Sequence, residues 1–329
     1  MTRPWTRAAA GMGAVTALSR GFGFVRVVVV AAVLGTTALG NAFQASNSVS
    51  NAVFELVAAG ALSAVLVPSF VVLLDRGDHD EADRLASGVL GVATAVLGAL
   101  SVAGVLGAPL LARLLVAGVD DPQTAAAQRE VTTFLLRFFV PQLVCYGFAT
   151  VATALLYARR RFAVTAAAPI GNTVVMVTVL AVFRAVAGPD PGLALSTGEQ
   201  LLLALAGTGG VVAYAGVLVV AARRCGFRLR PRRPRRDPQL ARLLRHAGWG
   251  IALHANAGLL LGVALVVGSS VAGGVVAYQF AFVCFLAPYA VFAQPIHTAI
   301  LPELDRPGRP RRACGVRGRR PRTRSDAWR

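Results

Sequence analysis

The sequence predicts an all-α, polytopic membrane protein with about eight membrane-spanning segments. Three observations lead there. Hydrophobic residues make up 56% of the 329 positions and charged residues 15%, with a mean hydropathy of +0.63. A soluble domain of this size needs more charged surface than that. The charges are also segregated, so long uncharged stretches alternate with short charged ones, as a bilayer demands of helices whose backbone groups are satisfied internally. Finally, all 33 basic residues are arginine and the formal net charge is +18. They gather at Arg159–Arg161, Arg223–Arg245 and Arg306–Arg329, between or after apolar segments. This is the pattern of positive-inside topology and of attraction to anionic headgroups, and it argues against a nucleic-acid partner.

The elements follow in chain order. Apolar runs place spans at Arg7–Leu34, Ala45–Leu74, Leu85–Ala117, Val131–Tyr157, Phe162–Ala187 and Gln200–Ala222, then at Leu240–Val267 and Gly274–Leu301. Several exceed the roughly 20 residues that cross a bilayer, so tilting, kinking or projection into water is expected. The first apolar run, Ala8–Leu18, leads into Ser19-Arg20 and a further hydrophobic run without a convincing cleavage site, so no cleavable signal peptide is expected.

The connections alternate. Asp75–Arg84 is mixed in charge, Arg159–Arg161 is basic, and Arg223–Arg236 is rich in arginine and proline. The intervening connections, near Gly35–Asn41, Asp120–Gln128, Gly188–Gly198 and Gly268–Gly273, carry few arginines. A cell-membrane protein with a cytoplasmic N-terminus, and an even number of spans returning the basic tail to that side, accommodates all of them. The expected organisation is a six-helix lobe at 1–222 and an exposed basic linker at 223–239. Two helices of a second lobe follow at 240–303, with an Arg/Pro-rich, disordered tail at 304–329.

Two features carry the functional expectation. Arg20 and Arg26 sit inside the first apolar span, where a guanidinium costs about 2.5–3.5 kcal/mol on insertion scales. Such residues face a wet cavity, pair with an anion, or snorkel to an interface. Lying about a turn and a half apart, both are poorly served by one interface. Gln44, Asn47, Asn51 and Glu55 are spaced three, four and four and form one polar helical stripe. Interhelical glue explains the amides as well as transport does, whereas an intramembrane acid needs a proton, a cation or an arginine. Together with Asn41 and Arg137, these are the candidate cavity-lining residues.

Four cysteines without metal or redox spacing, and the lack of a phosphate loop or His/Cys cluster, leave no enzyme, metal or cofactor expectation. Arg137 and Arg184 are candidates for cavity or snorkel positions. His254, Asn256, Gln279, Gln294 and His297 carry little weight, and Pro288, Pro295 and Pro302 predict a broken eighth span.

The run Leu18-Ser19-Arg20-Gly21-Phe22-Gly23-Phe24-Val25-Arg26 resembles the opening of the MurJ (MviN) lipid II flippases of the multidrug/oligosaccharidyl-lipid/polysaccharide exporter superfamily. The likeness continues through Leu34-Gly35, Asn41-Ala42-Phe43, Asn51, Ala59-Gly60-Ala61-Leu62-Ser63 and Val67-Pro68, and again at Pro288 and Thr298-Ala299-Ile300-Leu301-Pro302. It implies a two-lobed, alternating-access transporter that carries lipid II, or a related polyprenyl-diphosphate lipid, to the outer leaflet near cell-wall synthesis proteins. Arg20 and Arg26 match the first-helix arginines that bind the diphosphate. Three familiar charged positions differ: Asn41 replaces an aspartate, Phe54 the second-helix arginine, and Val283 the eighth-helix arginine. The family has fourteen helices, and here the composition changes abruptly after Leu304, which suggests a truncated chain. An exporter of another polyprenyl-linked sugar or of a small molecule, and a non-transporting membrane scaffold or inactive truncated product, are the alternatives.

Overall fold

A computed structural model of the chain describes the backbone of residues 4–54, 63–232, 256 and 258–288, and the side chains of 18–19, 21–54, 66–232, 256 and 258–286. Among the described residues every regular element is helical. Helix α1 spans Pro4–Leu34, α2 Ala38–Phe54, α3 Ser63–Asp75, α4 His79–Leu106, α5 Ala108–Leu115 and α6 Pro122–Phe139. A 3₁₀ turn at Val140–Gln142 leads into α7, Leu143–Ala158, followed by α8, Phe162–Ala187, and α9, Thr197–Arg224. Helix α10 is Gly258–Ser269 and α11 is Gly274–Pro288.

Four of these are long and apolar enough to cross a membrane: α4, the continuous rod Pro122–Ala158, α8 and α9. Four shorter apolar segments, Gly21–Leu34, Leu66–Asp75, Gly258–Ser269 and Gly274–Leu286, fall within the remaining expected spans. Helices start earlier than hydropathy alone places them. Asp121 caps α6 by accepting a hydrogen bond from the Thr124 amide at 2.8 Å, with Pro122 in the first helical position. The polar turns Gln123–Glu130 thereby join a span expected from Val131. Likewise α4 begins at His79, where Asp80 and Glu81 meet the positive end of the helix dipole. A reciprocal capping box between Ser196 and Glu199 starts α9.

The ends are equally local. Gly35, Gly77, Gly188 and Gly226 adopt left-handed backbone angles just past α1, α3, α8 and α9, where a Cβ would be strained. Arg184, expected to line a cavity or snorkel, instead donates to the carbonyls of Gly188 and Pro189 and closes the C-terminal end of α8.

Packing is helix on helix. Helix α8 lies along both α9 and α1, α7 along α9 and α4, and α2 along α6. Small residues set the approaches: a Cβ on Gly207 of α9 would overlap the Phe139 ring of α6, and one on Gly147 would meet Leu97 Cδ1 at 2.9 Å. One core joins Leu66, Phe70, Leu90, Leu156 and Leu218; another joins Val30, Leu34, Phe43, Phe139 and Phe183. The outward faces of α4, α5, α8 and α9 are apolar and exposed, including Leu100, Leu106, Leu110, Val174, Leu205 and Val220. Such a belt is suited to lipid and not to water.

Most described residues of the basic linker are exposed as expected, but Phe227 and Leu229 are not, and 233–239 lie outside the described residues. Phe227 and Leu229 are buried in the core containing Phe70 and Leu218, so the chain leaving α9 is held against the bundle. The reason is its alternation: apolar 227 and 229 turn inward while arginines 228 and 230 turn outward. The described helices belong to one compact unit, Met1–Ala287.

Candidate functional site

Arg26 lies two turns before the end of α1, in a helix that is otherwise apolar from Gly21 to Leu34. It is partly buried, while its neighbours Val27 and Val30 are fully packed and Val25 and Val28 face outward. Two residues before it on the chain, Phe24 meets Phe280 of α11 with ring centroids 5.9 Å apart. Helix α1 is thus held between α8 and α11. Arg26 is close enough to Tyr146 of α7 for the two to interact electrostatically. Among the described residues the one ion pair is Arg84–Glu81, at 3.2 Å, so no described carboxylate neutralises Arg26.

Tyr146 organises the polar groups around that position. Its hydroxyl donates to Asn51 Oδ1 at 2.6 Å, and its ring stacks on Phe54 with centroids 4.1 Å apart and planes 23° apart. Helices α2 and α7 therefore meet at one phenol and one amide, backed by an aromatic pair, with the Arg26 charge of α1 within electrostatic reach of the phenol. Phe54, the residue that stands where the family resemblance expects an arginine, serves as that backing. Neither Tyr146 nor Phe54 was among the candidates from sequence. The available signal was a single phenolic hydroxyl in an apolar run, which usually finds a partner when buried.

The other candidates distribute differently. Gln44 and Asn47 are buried, as is every position of α2 from Leu39 to Ser48, so the first half of the polar stripe is enclosed on all sides. Exposure begins at Val49, and Asn51 is the member of the stripe that reaches the Tyr146 cluster. Asn41 lies apart from it. Fully buried, its side-chain amide donates to the Val271 carbonyl at 2.7 Å, and its Oδ1 accepts from the Val275 amide at 3.0 Å. Around this clamp the turn between α10 and α11 sits tightly on the turn between α1 and α2, where a Cβ on Gly40 would meet Val276 Cγ2 at 3.0 Å and one on Gly273 would overlap Thr36. Arg137 is exposed on the face of α6 opposite the buried Leu135, Leu136 and Phe139, away from the cluster. Helix α1 carries Arg20, whose side chain lies outside the described residues, as does Glu55.

A partly buried guanidinium within electrostatic reach of a phenol can bind an anion with oxygen acceptors. The guanidinium supplies paired N–H donors and charge, and the aromatic backing keeps the surroundings at low dielectric, where that contact is strong.

The chain is similar in sequence and in fold to known proteins. The family model described as "Lipid II flippase MurJ" matches residues 30–309. A protein of Rhizobium meliloti (strain 1021) named "Probable lipid II flippase MurJ" is 31% identical over 304 residues, covering 90% of this chain and 54% of the relative. A Rhizobium tropici protein of the same name is 31% identical over 301 residues with the same coverages. The chain thus spans about half the length of these relatives. In fold it is similar to the solved structure titled "Lipid II flippase MurJ, inward closed conformation", with a TM-score of 0.68 at 16% identity over 89% of this chain and 58% of that one. With the family model matching most of its length, the chain belongs to the lipid II flippase MurJ family.

Proposed function

We propose that the chain acts in moving lipid II from the cytoplasmic to the outer leaflet by alternating access, with Arg26 and Arg20 engaging the diphosphate. The observation that carries this reading is a guanidinium inside an apolar stretch of helix, within electrostatic reach of Tyr146, whose hydroxyl bonds Asn51, and with no described carboxylate paired to it. An anionic headgroup cannot cross hydrocarbon unaided, and a wet cationic cavity removes most of that penalty. In this reading residues 1–222 form one lobe and 240–303 begin the second. The clamp from Asn41 to Val271 and Val275 then holds them together at the end opposite the basic loops. The arginine-rich end is cytoplasmic, which places the chain in the plasma (inner) membrane with its N-terminus inside, delivering cargo to cell-wall synthesis proteins outside.

Complementation of flippase depletion by the 329-residue chain, paired with lipid II translocation into vesicles, tests the proposal. Removing one charged hydrogen bond costs about 1.5–3 kcal/mol, so Arg26→Ala should weaken diphosphate-lipid binding roughly 10- to 100-fold. Translocation at the wild-type rate by Arg26→Ala would overturn the assignment. The Phe54–Tyr146 stack favours one second reading, a different polyprenyl-diphosphate sugar as cargo, because an aromatic platform occupies a position where the family resemblance expects charge. Competition between such lipids and lipid II for binding separates the two.

A further inference from the structure

The basic chain leaving α9 is fixed to α4 by its backbone. The Arg228 amide donates to Asp83 Oδ1 at 3.2 Å, Ser87 Oγ donates to the Arg228 carbonyl at 3.4 Å, and the Arg232 amide donates to the Ser87 carbonyl at 3.2 Å. Gly91 makes room for it, since a Cβ there would overlap the Arg232 carbonyl. With Phe227 and Leu229 buried beneath, Arg228, Arg230 and Arg232 all point outward. The other basic run comes to the same place: the Arg159 guanidinium lies 5.5 Å over the Phe227 ring and its Nη2 is 3.1 Å from His79 Nδ1, with Arg160 and Arg161 exposed beside it.

We propose that these six arginines form a built surface for the phosphates of anionic phospholipids. Depth decides for lipid over a soluble polyanion. The surface begins within one turn of the ends of α7 and α9 and of the start of α8. At that level Tyr157 and Phe162 form an exposed aromatic pair, 5.6 Å between centroids, of the kind that marks a membrane–water interface. Charge complementarity does the rest: Asp83 accepts from the Arg228 amide and Glu81 pairs with Arg84, and the six arginines outnumber the exposed Asp75, Asp78 and Asp80 of the neighbouring turn. In an extended segment, alternate residues repeat at about 6.6 Å, so docking presents Arg228 and Arg230 as a spaced row where a free linker would present a mobile cloud of charge. The inference does not depend on which cargo the chain carries.

The test is retention of phosphatidylglycerol against phosphatidylcholine by the full chain, read by native mass spectrometry after release from mixed bilayers. Each arginine near a surface contributes enough that its removal weakens retention roughly fivefold, so Arg228→Gln with Arg230→Gln and Arg232→Gln should abolish the preference for phosphatidylglycerol. Gly91→Leu keeps every charge yet undocks the segment, and should lose most of the preference too. Asp83→Ala with Ser87→Ala serves the same purpose by removing bonds without adding bulk, and an unchanged thermal midpoint reports that the bundle is intact. Full preference in the undocked variants would overturn the proposal. So would displacement of the lipid by inorganic phosphate, or selective capture of RNA in its place.

Discussion

Tyr146 does at the residue scale what no spacing rule announced. It ties Asn51 to Phe54 and stands next to Arg26, so one phenol defines the surroundings of the cation. Tyr146→Phe keeps the stack and strips the hydroxyl, leaving Asn51 Oδ1 without its donor. A loss of about 1 kcal/mol in stability is expected, measured by thermal unfolding in detergent, together with weaker diphosphate-lipid binding. Asp121 offers a separate, soluble-side test. The hydrogen bond from Thr124 holds its carboxyl below the ordinary value of 3.8. A depressed value means that the cap's contribution is complete above the unfolded-state value and is lost as pH falls through the lower folded-state one. The protection of the Thr124 amide, relative to its intrinsic exchange rate, should therefore fall below about pH 4, and Asp121→Asn should flatten that dependence. Arg20 and Arg26 were legible in the sequence because charge in an apolar run is conspicuous. Asn41 was legible as polar, but not as a clamp, because its partners are backbone groups 230 and 234 residues away.

Elements were read from hydropathy with unequal success, and capping chemistry explains the difference. The span expected at Phe162–Ala187 coincides with α8, because the chain turns sharply at Arg159–Arg161 before it and at Gly188 after it. Helix α6 extends nine residues ahead of its expected span, because Asp121 and Pro122 start a helix whose first turns are polar. The linker was expected to be exposed because arginine dominates its composition; its described arginines are exposed, and its docking follows from Phe227 and Leu229 buried at alternate positions. Within the bundle, the Gly207–Phe139 approach is the tightest link between α9 and α6 on which a clear prediction rests. Phe139 is fully buried and has no free direction to move. Gly207→Leu should destabilise by about 1–3 kcal/mol through overpacking, measured as a lower thermal midpoint, while Gly216, with open space at its Cβ position, tolerates the same change.

For the whole molecule, the hydrophobic belt specifies a bilayer, and the proposed orientation rests on the arginine-rich end. The Asn41 clamp indicates where two parts of the bundle come together. A carboxylate cannot donate to the Val271 carbonyl, so Asn41→Asp should loosen this clamp. The expected sign is faster thiol labelling of a cysteine introduced by Ser270→Cys in the α10–α11 turn, in the Asn41→Asp background relative to Asn41. The central claim remains that residue 26 borders a watery route open to a phosphorylated lipid. The most direct measurement places a cysteine there by Arg26→Cys and labels it with a membrane-impermeant thiol reagent, with and without lipid II. Rapid labelling that lipid II suppresses is the predicted result. A thiol that the polar reagent never reaches, or that labels equally fast when lipid II is bound, would contradict the account.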